Sequence, residues 1–347
     1  MTALPTLTVQ ALQWTGDSLK VLDQRQLPDK IVYDEYTSAA GICEAISTMR
    51  VRGAPAIGIA AAYGVVLSAQ QHYKSDPVHW QSAVIADMAQ LAQSRPTAVN
   101  LCWALNYMRG ALQQTHAQPL VALAASAVQI HEDDIAANYK MGQLGADLIA
   151  DAAAVLTHCN TGALATGGHG TALGVIRSAY QRKPFSVYAG ETRPWLQGAR
   201  LTVWELAQDG IPATLIADSA SGWLMKNQPI GWLIVGADRI AANGDTANKI
   251  GTYSLAVLAK QHGVKVMVVA PTTTIDWTLS NGHNIVIEQR DKSELLPSAY
   301  HSKDSLVGAW NPVFDVTPAA LIDAIVTERG VVLKPSSETM RAIYEIE

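Results

Sequence analysis

Large aromatic rings are scarce in this 347-residue sequence: two phenylalanines, and aromatics at 6% of the whole. The apolar share is nevertheless 49%, so a core must be filled with small and aliphatic side chains, a balance that suits helices packed closely against a sheet. Cysteine is equally sparse. Cys43, Cys102 and Cys159 are odd in number and form no CxxC pair, which excludes a disulfide framework and points to a reducing compartment. Charged residues are 16% and the net charge is −5. No cluster of Lys or Arg marks a surface for nucleic acid or acidic lipid, so neither partner is expected. The nine histidines contain no HxxxH or HxH pair, which leaves a metal site without support. The longest apolar stretch, Ala54 to Ala69, is interrupted by Pro55, Gly58 and Gly64. It falls short of the roughly 20 residues that span a membrane and reads as a buried helix. The opening MTALPTLTVQALQW has no basic segment ahead of an apolar core, so a secretory leader is not expected and the cytoplasm is the default.

What is present divides the chain by texture. The length suits about two domains. Three alternating runs, LTVQALQW, SLKVLDQ and KIVYDEY, are separated by Gly16-Asp17 and Pro28-Asp29, which predicts an antiparallel β-meander. From Thr37 the period becomes helical, with Thr37 or Ser38 as N-cap and breaks near Pro55, Pro77, Pro96 and Pro119. After residue 151, short apolar runs alternate with helical ones: AAAVLTHC, FSVYAGE, ATLIADS, GWLIVGAD and VKVMVVAP. That alternation predicts right-handed βαβ units and a parallel sheet covered on both faces. The expected fold is therefore α/β, an N-terminal meander and helical domain (1–130), a connecting helix (131–151) and a Rossmann-like domain (152–347).

In such a sheet, ligands sit beyond the carboxyl ends of the strands. Those ends read Cys159-Asn160-Thr161-Gly162, Glu191-Thr192-Arg193-Pro194, Asp218-Ser219 and Asp238-Arg239, which delivers a thiol and three carboxylates to one rim. Each acid alone could cap a helix or join a salt bridge. Two glycine-bearing pieces could serve phosphate. Gly167-Gly168-His169-Gly170-Thr171 precedes a helical run but lacks dinucleotide-fingerprint spacing. Arg52-Gly53-Ala54-Pro55 sets a guanidinium before a helix start with proline in its first turn. Asn243–Lys249 reads as a polar turn leading into a helix, bringing Asn248 and Lys249 toward the rim. His158 adjoins Cys159, but neighbours on a strand point to opposite faces, which argues against a Cys–His dyad.

Five stretches together resemble one family, the methylthioribose-1-phosphate isomerases: RGAPAIG at 52–58, CNTGALATGGHGTALGVI at 159–176, ETRP..QGARLT.WEL at 191–206, GADRIAANGDTANKIGTY at 236–253 and NP.FDVTP at 311–318. The wider superfamily includes ribose-1,5-bisphosphate isomerases and initiation factor 2B subunits. The resemblance implies Asp238 as proton donor and Cys159 as the assisting thiol. It implies substrate contacts at Arg52, Gly53, Ala54, Arg95, Gln197, Asn248 and Lys249. It also implies a homodimer acting on a small phosphosugar, with no metal or organic cofactor. Trp195 departs from the usual pattern and stands next to Leu196 and Gln197. A bisphosphate isomerase or a non-catalytic regulatory subunit are the alternatives; the second has no need of Cys159 and Asp238 together.

Overall fold

In the computed structural model the alternating runs at the start form strands β1 (Leu12–Trp14), β2 (Leu19–Leu22) and β3 (Tyr33–Tyr36), an antiparallel meander in that order. The structure describes residues 9–96, 98–114 and 117–344; the first eight residues, read above as no secretory leader, lie outside them. Helices follow where the period changed: α1 (Ala39–Ser47), α2 (Ala54–Ser75), α3 (Trp80–Ser94), α4 (Val99–Gln113) and α5 (Pro119–Leu148). Ser38 caps α1 by accepting from the Gly41 N–H, as a hydroxyl at that position should. Helices α2 to α5 each have a proline in the first turn or shortly before the start, where its missing N–H is not needed. The apolar run from Ala54 is buried as far as Ala69, as expected for a helix apolar on all sides.

The chain divides into two compact units. The first holds the residues up to Gly142 together with Thr161–Gly174, and the second holds Gln143–Asn160 and everything from Val175. In the first unit Tyr63 stacks on Trp14 at 4.7 Å and bonds His131 Nδ1 at 3.0 Å. His131 Nε2 in turn meets the Gly167 carbonyl at 3.0 Å. A carbonyl only accepts, so Nε2 carries the proton and Nδ1 accepts from the tyrosine. Burial holds this imidazole below its ordinary range. Gln24 Nε2 reaches the Leu164 carbonyl at 2.7 Å, so the inserted segment is bonded to the meander as well as to α5.

The second unit is built on β4 (Ala154–Thr157), α6 (Ala172–Arg182), β5 (Ser186–Gly190), α7 (Val203–Gln208), β6 (Ala213–Ile216), α8 (Ser221–Asn227) and β7 (Ile230–Val235). It continues through β8 (Arg239–Ala241), β9 (Thr246–Lys249), α9 (Thr252–His262), β10 (Lys265–Val269), β11 (Ile275–Asp276), β12 (Phe314–Thr317), β13 (Ala324–Thr327), β14 (Gly330–Leu333) and α10 (Ser337–Tyr344). Seven strands form one sheet in the order β14-β13-β10-β7-β4-β5-β6. All neighbours are parallel except β13 and β14. All five apolar runs named from the sequence are strands of this sheet; β13 and β14 were not foreseen. Leu156, Leu233, Val235, Val266, Val268 and Ile325 from its centre pack with Ala256, Ala259 and Met340. Each large aliphatic side chain so buried contributes about 1.5–3 kcal/mol.

One expectation is corrected. Residues 243–249 are not a turn running into a helix: Asn243 and Gly244 turn a β8–β9 hairpin, and β9 pairs antiparallel with β12 in a small sheet ordered β11-β8-β9-β12. Four antiparallel partner residues on β12, Phe314–Thr317, won over the polar composition. Among the described residues no helix is long and apolar enough to cross a membrane.

A buried charge network ties α6 to α7. Arg177 bonds Glu205 at 2.9 Å and Asp209 at 2.6 Å, and Glu205, fully buried, also accepts from Asn160 Nδ2 at 2.9 Å. Arg177→Leu leaves Glu205 buried without its cation. The expected loss is about 3–5 kcal/mol of unfolding free energy, read as a lowered urea midpoint; a midpoint unchanged from the parent contradicts it.

Candidate active site

The strand order places the chemistry. From β4 the chain winds to β5 and β6 on one side, then crosses to β7 and winds on to β10 and β13. The reversal falls between β4 and β7, the position at which a doubly wound sheet opens a crevice at its carboxyl ends. Thr157 of β4 pairs with Ile234 of β7 and with Ala189 of β5. Cys159 thus leaves one strand flanking the crevice and Asp238 leaves the other. Glu191 and Thr192 leave β5 on the far side of Cys159.

Cys159 is buried, 5% exposed, with φ of 62°. A left-handed backbone in a residue other than glycine costs about 1–3 kcal/mol and persists only where its surroundings hold it. Two hydroxyls do so: its N–H donates to Thr192 Oγ1 at 2.8 Å and its carbonyl accepts from Thr202 Oγ1 at 2.5 Å. Thr192 is itself left-handed, at φ 63°. Asp218 Oδ1 accepts from the Thr192 N–H at 2.8 Å and Oδ2 from the Arg193 N–H at 2.7 Å. Asp218, read from the sequence as one of three rim carboxylates, spends both oxygens on this loop.

His158 does not form a dyad with Cys159. Its Nε2 donates to the Ile250 carbonyl at 2.8 Å, and Nδ1 stands 3.4 Å from Thr192 Oγ1. Burial, aided by the charge of Lys249, holds this imidazole below its usual range, while the Ile250 carbonyl and Asp218 act in the opposite direction. Its ring lies 3.1 Å from where a Cβ on Gly251 would stand, and Gly251 has φ of 104°, so only glycine suits that turn.

Asp238 is half-buried just past β7, its N–H held by the Ala247 carbonyl at 2.9 Å, with buried Ile234 and Val235 behind it. Arg239 pairs with Asp276 at 3.3 Å. Asn248 is buried on β9 and donates to Thr252 Oγ1 at 3.0 Å. Lys249 Nζ lies 4.6 Å from the centre of the Phe314 ring. Lys249 and Gln197 line a shallow cleft with Pro194, Trp195, Arg290, Glu294, Asn311 and Val313. Arg290 is bonded to Glu294 and lies over Trp195, whose other guanidinium neighbour is Arg200. Gln197 is 4% exposed, and its Oε1 is among the few buried polar atoms without a protein partner. An unanswered acceptor opening on a cleft is suited to a ligand hydroxyl.

Arg52, Gly53, Ala54 and Arg95 belong to the first unit. Arg52 is 9% exposed and directly precedes Gly53, the N-cap of α2, at φ 97°. A Cβ on Gly53 would come within 2.5 Å of the Ala165 backbone. Arg95 is half-buried at the C-cap of α3. The other glycine-rich piece fits an anion less well than its sequence suggested. The N–H groups of Gly167, Gly168, Gly170 and Thr171 donate to Asp134, Thr166 Oγ1, the Gly168 carbonyl and the Thr161 carbonyl. Among the described residues no cluster of three His, Cys, Asp or Glu side chains could hold a metal ion.

A doubly wound sheet with a thiol and an acid on the two strands flanking its switch point belongs to the Rossmann-like class of small-molecule enzymes. Within that class the chain belongs to the initiation factor 2 subunit family, whose model matches residues 50–334. A methylthioribose-1-phosphate isomerase of Methylococcus capsulatus is 65% identical over 96% of this chain and 96% of its own length. One of Alkalilimnicola ehrlichii is 60% identical over 97% and 98%. Among solved structures, 5-methylthioribose 1-phosphate isomerase from Pyrococcus horikoshii superposes with a TM-score of 0.90 at 38% identity, covering 97% of this chain and 96% of that one. An A. fulgidus protein described as initiation factor eIF-2B subunit delta follows, with a TM-score of 0.83 at 38% identity over 96% and 99%.

Sequence inspection missed Thr192, Thr202 and Asp315. Asp315 of β12 accepts from the Gly251 N–H at 2.7 Å and the Tyr253 N–H at 3.0 Å, holding the turn after Lys249 at the start of α9. Burial pushes its carboxyl up to about 6 from 3.8, against the pull of those N–H groups and of Lys249. Between these values the folded chain keeps a proton that the unfolded chain has released. Stability from this group is therefore full below about pH 4 and declines as pH rises toward 6. Asp315→Asn should flatten the fall of unfolding free energy across that window by at most about 1.4 kcal/mol per pH unit. Urea titrations at several pH values between 4 and 7 measure it, and parallel slopes for the two proteins refute it.

Proposed function

We propose that this protein is an aldose–ketose isomerase interconverting 5-methylthio-α-D-ribose 1-phosphate and 5-methylthio-D-ribulose 1-phosphate, a step of methionine salvage. The observation that carries this is near-full-length identity of 58–65% to several proteins named methylthioribose-1-phosphate isomerase. In a sugar 1-phosphate the phosphate blocks the anomeric carbon, so no free aldehyde forms by ring opening alone. An acid must protonate the ring oxygen, and hydrogen must then pass from C2 to C1. Asp238 is the acid, standing half-buried at the end of an apolar strand at the carboxyl edge of the sheet. Cys159, fixed on the neighbouring strand, assists the transfer. Arg52, Gly53, Ala54, Arg95, Gln197, Asn248 and Lys249 bind the substrate. Arg52 serves the phosphate, and Gln197 takes a sugar hydroxyl on its unanswered Oε1.

The cleft favours an apolar substituent over a second phosphate. Trp195, Pro194 and Val313 line it, and its Arg290 is already matched by Glu294. A regulatory-subunit role is suggested by the description of the A. fulgidus structure, but it leaves the thiol and acid of this rim without a task. The protein acts in the cytoplasm as a homodimer. Exposed Leu215 on edge strand β6, Trp223 on α8, and Tyr253 and Val257 on α9 offer apolar surface for a second copy.

Asp238→Asn keeps the shape of the side chain but cannot deliver a proton. Its kcat should fall by about 10²–10⁴-fold, with melting temperature and KM close to the parent. A near-normal kcat ends the acid assignment, and a raised KM with lowered stability makes Asp238 structural. Assaying the parent on the methylthio sugar phosphate and on ribose 1,5-bisphosphate decides the substrate. Sedimentation velocity at micromolar concentration should show a species twice the chain mass of 37.1 kDa; a monomer alone refutes the dimer.

A further inference from the structure

Two residues with side chains sit in left-handed backbone at the carboxyl ends of adjacent strands, Cys159 after β4 and Thr192 after β5, at φ 62° and 63°. For a β-branched residue such as Thr192 this conformation is a marked outlier. Both are buried, at 5% and 0% exposure. The bonds around them run in one direction. The Asp218 carboxylate accepts the N–H groups of Thr192 and Arg193, which fixes the Thr192 backbone. Thr192 Oγ1 donates to the Gly190 carbonyl at 3.2 Å, which turns a lone pair to the Cys159 N–H at 2.8 Å. From the other side, Thr202 Oγ1 donates to the Cys159 carbonyl. Every polar group of the Cys159 backbone is thus bonded to a threonine hydroxyl, and one of those threonines is itself held by an acid.

We propose that Thr192, set by Asp218 and opposed by Thr202, is a positioning residue that holds Cys159 in its left-handed conformation and so fixes where the thiol stands in the isomerase reaction. This rests on the reading of Cys159 as a functional thiol. A relaxed Cys159 would swing its Cα–Cβ bond away from the crevice, whereas substrate contacts made by other residues would remain. The signature is a loss in turnover rather than in binding, because a small misplacement of a reacting group alone can cost about 10²-fold. Asp218 then acts on the reaction only through the backbone it holds.

Thr192→Val removes the hydroxyl while keeping the β-branched shape, and Thr192→Ser keeps the hydroxyl. For Thr192→Val we expect kcat lowered about 10–100-fold with KM within about threefold, and an altered rate of alkylation at Cys159 by iodoacetamide, followed on its peptide by mass spectrometry. Thr192→Ser should restore both to near the parent. Should Thr192→Val fail to fold by circular dichroism, Thr202→Val makes the same test from the carbonyl side. Cys159→Ser in the same assay separates the two ideas. If it turns over normally, the functional-thiol reading falls, and the positioning role with it. If it is slow while the valine variants turn over normally with unchanged alkylation, the positioning role alone is refuted. A serine variant as slow as the valine variant also refutes it.

Discussion

The order in which the parallel strands are laid down governs everything else at this site. A right-handed crossover must return the chain to the same sheet, and the sheet here grows outward from β4 in both directions. Somewhere the winding has to reverse, and at that place no crossover helix can cover the gap. Cys159 and Asp238 occupy the carboxyl ends of the two strands that border it. The polar residues around them are then obliged to satisfy one another or to wait for a ligand. Most do the first: Asn160 with Glu205 and Thr202, His158 with Ile250, Asp218 with two backbone N–H groups. Gln197 is one exception.

Charge near the rim is arranged by the same logic. The buried Arg177 is answered by two carboxylates, and the imidazole of His158 is kept neutral by burial. Lys249 rests its ammonium over one of only two phenylalanines in the sequence. The aromatic face adds an attraction for the cation.

The main sheet was legible in the sequence because strands buried on both faces read as continuous apolar runs. β4, β7 and β10 announce themselves in this way, β5 and the more exposed edge strand β6 by their apolar runs alone, and helix starts fall near prolines. The small sheet was not legible. β8, β9, β11 and β12 are at most four residues long, and β9 reads Thr-Ala-Asn-Lys, a composition that fits a loop as well as a strand. Its identity comes from partners distant in sequence, above all Phe314–Thr317. The strand-end residues Cys159, Asp218 and Asp238 could be picked out individually, but not sorted. Nothing in the sequence separates an acid that holds a backbone turn from one left to meet a substrate. The left-handed conformations of Cys159 and Thr192 were equally hidden, since neither residue type favours them.

The first unit is not a contiguous stretch of chain: it includes Thr161–Gly174, which is reached only after β4 has been traversed. Gln24, His131 and Asp134 all find bonding partners in that insert, at Leu164 and Gly167. During vectorial synthesis those three side chains wait until residue 174 has cleared the ribosome, by which time the first strand of the second unit has also emerged. A proteolytic fragment ending at Gly142 lacks partners that the intact chain provides, so neither unit can be excised by a single cut and keep its own interior complete.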